Sequence, residues 1–118
     1  THDNDTTVGW FEAKSQEEQQ YICDILGVDM QAYHDRPLRD LAIDVTRELI
    51  SRAMHSAAEL CIVPFQDVLQ QGSESRMNTP GTIKGNWSWR FDWDHIPAAA
   101  LSELATVVID ANRKVSHV

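Results

Sequence analysis

The sequence predicts an α/β fold that is mostly helical, and three observations carry the prediction. A long amphipathic pattern runs from Leu38 to about Glu59. It leads directly into a short unbroken apolar run, Leu60 to Val63, which Pro64 stops. A last helical pattern then spans Pro97 to about Arg113. An apolar run with no alternation fits a strand covered on both faces, as in a parallel sheet. A helix feeding straight into such a strand is one repeat of an alternating architecture.

Taken in order, the first fourteen residues read as loop, because Thr1-His2-Asp3-Asn4-Asp5 is too polar and turn-prone for a central strand. Ser15-Gln16-Glu17-Glu18 is a capping box, with Ser three residues before Glu. The helix it starts should end at Leu26, with Gly27 as a left-handed cap. Tyr21, Ile22, Ile25 and Leu26 are its expected apolar stripe. Residues 28–36 read mostly as loop. Pro37 suits a helix start, where its missing N–H costs nothing. From there Leu38, Leu41, Ala42, Val45, Leu49, Ala53 and Ala57 recur every three or four residues, and Ile50 and Met54 widen the stripe. Residues 65–95 contain Gly72, Pro80, Gly81 and Gly85 without any period. A loop of about 30 residues is far longer than the usual connection, which points to function or disorder. Trp87, Trp89 and Trp93 lie in it and argue against disorder. The last helix carries Leu101, Leu104, Ala105, Val108 and Ile109 on one stripe, with Arg113 and Lys114 favourably placed at its C-terminal end.

The chain has 118 residues, 10 basic and 18 acidic, for a net charge of −8. With no basic run, a nucleic-acid footprint is excluded. An acidic partner would be repelled. No apolar stretch approaches the roughly 18 residues of a membrane span. Cys23 and Cys61 sit among apolar neighbours and read as free buried thiols of a reducing cytosol, not as a disulfide framework. The N-terminus is polar and carries no signal-peptide pattern. It also lacks an initiator Met, so a piece of something longer is expected. His34, His55, His95 and His117 show no metal-ligand spacing, and no metal site is expected.

Four stretches are far more specific than any of this: Thr1-His2-Asp3-Asn4-Asp5-Thr6 with Gly9-Trp10, Gln66-Asp67-Val68-Leu69, Ser75-Arg76-Met77-Asn78-Thr79-Pro80-Gly81-Thr82, and Gly85-Asn86-Trp87-Ser88-Trp89-Arg90. Together they resemble the C-terminal part of the amylomaltases, the bacterial and plastid 4-α-glucanotransferases. The resemblance covers nearly the whole chain, and is least diagnostic over residues 28–36 and 92–118.

The resemblance implies a (β/α)₈ TIM barrel, which needs about 250 residues even without insertions. Residues 1–118 would then be a C-terminal segment of the catalytic domain and not a complete domain: last strand, its long loop and the flanking helices. Thr1 to Asp3 would lie at the C-terminal end of the seventh strand. Leu60 to Val63 would be the eighth strand, and Pro97 to Arg113 the closing helix. The implied reaction is retaining transfer of α-1,4-glucan segments. One carboxylate attacks the anomeric carbon and another, about 5–5.5 Å away, protonates the leaving oxygen, with a sugar hydroxyl replacing water as acceptor. Both of these groups belong to earlier strands in the family. A third carboxylate holds the sugar's 2- and 3-hydroxyls more strongly as the ring flattens. By resemblance Asp3 is that carboxylate, and His2 donates to the same glucose.

The implied substrate-binding loop contains Asn78, Thr79, Pro80 and Gly81. Asn78 can donate and accept at once, which suits a sugar hydroxyl; the alternative is a loop-shaping Asn bonded to backbone. Pro80-Gly81 is read as the bend of the loop. Asn4 and Asp5 are read as shaping their turn rather than touching sugar. Trp87, Trp89 and Trp93 could stack on glucose, but the turn chemistry of Gly85-Asn86 favours anchors that pin the loop. Glu74 and Arg76 are read as a local ion pair, and Asp67 as the cap of a short turn after Pro64. The family needs no organic cofactor. The implied partners are a maltooligosaccharide or starch-like α-glucan and the rest of the barrel, in the cytoplasm, with no nucleic acid and no membrane. A competing function is a non-catalytic α-glucan-binding or subunit-docking piece. A further alternative is a cleaved enzyme completed by a second chain.

Overall fold

A computed structural model describes residues 3–113. His2, Thr1, Lys114 and His117 lie outside the described residues. Five α-helices follow in order: α1 Thr7–Glu12, α2 Gln16–Leu26, α3 Leu38–Met54, α4 Phe65–Val68 and α5 Ala98–Asp110. Short 3₁₀ turns sit at Met30–Tyr33, Ser73–Ser75 and Trp93–His95.

The expected strand at Leu60 to Val63 is absent, and the described residues contain no strand. Leu60 and Ile62 are 74% and 81% exposed. A strand exists only through ladder bonds to a neighbour, and no described segment offers one. The α/β expectation therefore holds here only in its mostly helical part.

The core joins the expected stripe of α3 to α1, a helix in the segment expected to be loop. Val8 and Phe11 of α1 are fully buried against Cys23 and Leu26 of α2 and Leu41, Ala42 and Val45 of α3. Thr6 starts α1 by accepting from the Gly9 N–H at 3.1 Å. The helix has only six residues, too few to show a period in the sequence. Gln19, also buried, donates to the Phe11 carbonyl at 3.1 Å and so ties α2 to the end of α1.

The start and stop of α2 are as expected. Ser15 Oγ accepts from the Glu18 N–H at 3.2 Å and donates to the Glu18 carboxylate at 2.9 Å. Gly27 takes φ +70° and closes the helix. Its buried face agrees only in part: Leu26 is buried and Ile22 packs half-buried against the core, but Tyr21 and Ile25 are exposed and Gln19 and Cys23 point inward instead. Cys23 is buried and Cys61 only half-buried; both are free. Burial pushes the Cys23 thiol above its ordinary value, with Asp24 adding to the shift.

Helix α3 ends at Met54 instead of about Glu59, which leaves Ala57 outside it and Ala53 exposed. Arg113, expected to serve its own helix end, instead donates to carbonyls of Ser56 at 3.1 Å and Ala58 at 2.7 Å, and to that of Met54. A guanidinium there satisfies the last carbonyl of α3 and two carbonyls of the segment that follows it. Arg52 does the same for α2, donating to the Leu26 carbonyl at 3.1 Å. Helix α5 stops at Asp110, and none of its residues is buried.

Candidate functional site

The site lies where the N-terminal segment meets the long loop. Asp67 establishes the junction. Its carboxylate accepts from the Thr7 N–H at 2.8 Å and the Thr7 hydroxyl at 2.7 Å. It thus caps α1 from across the chain, not the turn after Pro64 that contains it. A carboxylate at a helix N-terminus faces unpaired N–H groups. Asp5 adds a second tie: it accepts from the Thr6 N–H at 2.7 Å and the Ser73 hydroxyl at 2.6 Å. That agrees with a turn-shaping role. Gly9 makes the approach possible, since a Cβ there would stand 2.1 Å from Ser73 Oγ.

The expected Glu74–Arg76 ion pair does not form. Glu74 accepts from the Gly72 N–H at 3.2 Å and faces Arg39 Nη1 at 3.6 Å. Backbone N–H groups at Glu74 and Gly72, and the Arg39 charge, hold its carboxyl below the ordinary carboxylate value. Arg39 also pairs with Glu12 at 3.0 Å, so one guanidinium joins α1, α3 and the base of the loop.

Arg76 turns the other way. Its Nη2 donates to the Asp3 carbonyl at 2.6 Å, and its Nε to the Asn78 carbonyl at 2.8 Å. Asn78 Nδ2 then donates to Asp3 Oδ1 at 2.6 Å. The structure thus brings together two of the residues singled out from the sequence, Asp3 and Asn78. Arg76 is a third member that sequence reasoning assigned elsewhere; its place inside the Arg76-Met77-Asn78 motif was the only signal.

Thr79, Pro80 and Gly81 form the loop's bend. The Thr82 N–H donates to the Thr79 carbonyl at 3.2 Å, and Gly81 sits at φ +83°. Pro followed by a positive-φ Gly is the signature of a type II turn. Asn86 staples this turn: its Oδ1 accepts from the Thr79 N–H at 2.8 Å, and its Nδ2 donates to the Thr82 carbonyl at 3.2 Å. The loop closes where the Trp87 N–H donates to the Met77 carbonyl at 2.6 Å. Trp87 takes φ +58° there, an uncommon conformation for a bulky residue.

Phe91 links the other tryptophans into an aromatic cluster. It lies 4.8 Å from Phe65, 5.6 Å from Trp89 and 5.0 Å from Trp93, ring centre to ring centre. Trp89 also donates to Gln71 at 3.1 Å. These contacts tie Trp89 and Trp93 to neighbouring segments, but Trp87 and Trp93 remain 56% and 67% exposed and are not the core anchors expected. Beside the junction a cavity of about 550 Å³ is lined by polar Asn4, Asp5, Thr6, Thr7, Gln66 and Asp67 and by apolar Ile62, Pro64, Met77 and Trp87.

Comparison with known proteins places the chain in a family. The sequence model of one family, described as 4-alpha-glucanotransferase, matches residues 1–95. A 4-alpha-glucanotransferase of Synechocystis sp. is 39% identical over 118 residues, covering 99% of this chain and 21% of its own. That of Thermus thermophilus is 39% identical over 93 residues, covering 76% of this chain and 17% of its own. Among solved structures, an amylomaltase from Streptococcus agalactiae in complex with acarbose matches with a TM-score of 0.79 and 26% identity, over 98% of this chain and 21% of that one. This chain therefore spans only 21% of the length of the Synechocystis relative. On the family match and these relatives together, the chain belongs to the 4-alpha-glucanotransferase family.

Proposed function

We propose that the chain is the C-terminal segment of the TIM-barrel catalytic domain of a cytoplasmic 4-α-glucanotransferase. The complete enzyme transfers α-1,4-glucan segments between maltooligosaccharides by retaining double displacement. Leu60 to Val63 becomes a strand once it gains neighbours, for which its exposed apolar side chains are suited. The rest of the barrel supplies the nucleophile and the acid/base, and no metal or organic cofactor takes part. Two free cysteines fit a reducing compartment. The acarbose complex of the amylomaltase neighbour supports a saccharide ligand.

The observation that carries the reading is the 2.6 Å bond between Asn78 and Asp3. It gathers the acidic residue that the family resemblance assigns to the glucose hydroxyls and a residue of the loop that the resemblance places over the substrate groove. Asp3 then holds that glucose by its 2- and 3-hydroxyls. As the ring flattens and gains positive charge, these charge-assisted bonds strengthen, so they lower the barrier more than they tighten binding. His2 donates to the same sugar, and Asn78 to Gly81 form the wall of the groove above it.

The test is Asp3→Asn in the complete enzyme, assayed on maltotriose with binding measured separately by inhibitor titration. Asn keeps the shape and loses the charge. The rate constant should fall at least about a thousandfold, or roughly 4 kcal/mol at 1.36 kcal/mol per decade, with affinity almost unchanged. A variant that keeps more than about a tenth of the rate removes Asp3 from this role.

A further inference from the structure

We propose that Arg76 is a positioning residue of the site, locking Asp3 and Asn78 into one unit through their main-chain carbonyls. This rests on Asp3 and Asn78 acting on substrate as described above. The two segments have no sheet or helix in common; they meet at Arg76, whose planar fork offers several fixed N–H directions at once. One edge holds the Asp3 carbonyl at 2.6 Å and Nε holds the Asn78 carbonyl at 2.8 Å. The Asn78–Asp3 side-chain bond closes the ring of contacts. Bonds to carbonyls fix where each backbone stands and take up none of the hydrogen-bonding groups of either side chain.

The surroundings favour the same role. Glu74, the nearest acidic neighbour in sequence, is turned to Arg39. Just before Arg76 the loop is fixed by Gln66 Nε2, which donates to the Ser75 carbonyl at 3.2 Å. The Met77 carbonyl that follows is held only from within the loop, by the Trp87 N–H at 2.6 Å, so Arg76 is the main-chain tie between this stretch and Asp3, and its loss frees the loop from the N-terminal segment. A shift of about 1 Å at such a place can cost about a hundredfold in rate. Lysine keeps the charge but, as a single point donor, cannot hold the two carbonyls in the same planar geometry.

The experiment compares Arg76→Ala, Arg76→Lys, Asn78→Ala, each Arg76 variant combined with Asn78→Ala, and Asp3→Asn, all in the complete enzyme. It reads kcat and KM on maltotriose together with the thermal melt. Both Arg76 variants should lose about a hundredfold in kcat and raise KM, with the melting midpoint held. In their background Asn78→Ala should add no further loss in KM, because Arg76 acts through Asn78. A role in stability alone would lower the melt and the active fraction and leave KM unmoved. Should Arg76→Ala fail to fold, Arg76→Lys carries the same comparison. The proposal is overturned if both Arg76 variants stay near wild type while Asp3→Asn is crippled, or if the KM losses of Arg76→Lys and Asn78→Ala multiply. An active Asp3→Asn enzyme overturns the underlying reading of the site instead, and the proposal with it.

Discussion

Asn78 donates its side-chain amide to the carboxylate of Asp3 at 2.6 Å, across 75 positions of sequence. An amide on a carboxylate is a charge-assisted bond, stronger than a neutral pair. It fixes the direction of the Asp3 oxygens, and preorganisation of this kind would favour binding of the glucose proposed above.

Removing that amide gives the first prediction. Asn78→Ala leaves the charge of Asp3 in place, so the chemistry survives and positioning suffers. In the complete enzyme KM for maltotriose should rise by about tenfold, equivalent to about 1.4 kcal/mol, with kcat changed by much less. Steady-state kinetics decide it. A loss confined to kcat would mean that Asn78 acts on the transition state and not on binding.

Gly81 sits at φ +83° with open space around its missing Cβ. Gly81→Ala therefore meets no clash, and its cost is purely conformational. A left-handed L-residue costs about 1–2 kcal/mol. The type II turn at Thr79–Thr82 should open, and Asn86 should lose the N–H it accepts. Hydrogen exchange at the Thr79 and Thr82 amides should speed up by about tenfold, since 1.4 kcal/mol is one decade. Unchanged exchange at both amides would show that Asn86 alone sets the bend.

How far the sequence reveals this arrangement depends on the range of the interaction. Helix α2 was legible at both ends because Ser15, Glu18 and Gly27 act on the nearest turn. Helix α1 was not: six residues behind a polar segment show no period, and its cap lies partly in Asp67, 60 positions away. The stripe of α2 was legible only at Ile22 and Leu26, for a related reason. Which side faces inward is decided by α1 and α3, and the buried polar Gln19 finds its acceptor in the Phe11 carbonyl. Leu60 to Val63 carries a strand's composition, but a strand forms only through ladder bonds, and no described segment supplies them. Asp3 and Asn78 came from motif resemblance, and no periodicity could have paired them. Arg76 was assigned to Glu74 on proximity, whereas Arg39, far earlier in sequence, takes that carboxylate.

The capping box supplies a pH-dependent prediction. The Ser15 hydroxyl holds the Glu18 carboxyl below its ordinary value, with the Ser15 N–H and Lys14 adding to the shift. A carboxyl depressed in the folded state stabilises above its unfolded value, and that contribution fades as pH falls through the folded one. Ser15→Ala should therefore weaken the first turn of α2 at neutral pH. The loss of an N-cap Ser is typically about 1 kcal/mol. The difference from wild type should narrow as pH falls below the ordinary carboxylate value of 4.5. Amide exchange of Glu17, Glu18 and Gln19 across that range measures it. A gap that widens on acidification would mean that Glu18 opposes the cap.

The last prediction concerns residues 1–118 on their own. Apolar burial is concentrated at one end of the chain: Val8, Phe11, Cys23, Leu26, Leu41, Ala42 and Val45 form one cluster on α1, α2 and α3, and beyond Met54 only Val68 joins the buried apolar residues among those described. Beyond Met54 the balance reverses. Leu60, Ile62, Phe91, Trp93, Leu101 and Ile109 are all exposed, and α5 buries no residue. Burial contributes roughly 25 cal/mol for each Å² of apolar surface removed from water. Ordering a residue costs about 1–2 kcal/mol of backbone entropy. Helix α5 bears that entropy with almost no burial to offset it, while α1 to α3 have a shared core. Local opening should follow the same division. In the isolated chain, amides of α1 and the first three turns of α3 should exchange slowest, and those of α5 within the fastest class. Phe11→Ala, at a fully buried position, removes about 3–5 kcal/mol and should abolish protection in α1 and α3 together. Slow exchange in α5 of a monomer, checked by size-exclusion chromatography, would show that this helix is held by contacts within the chain. Protection of α5 that appears only in an assembly would show that its apolar side chains are covered by another surface, the role proposed for the remainder of the barrel.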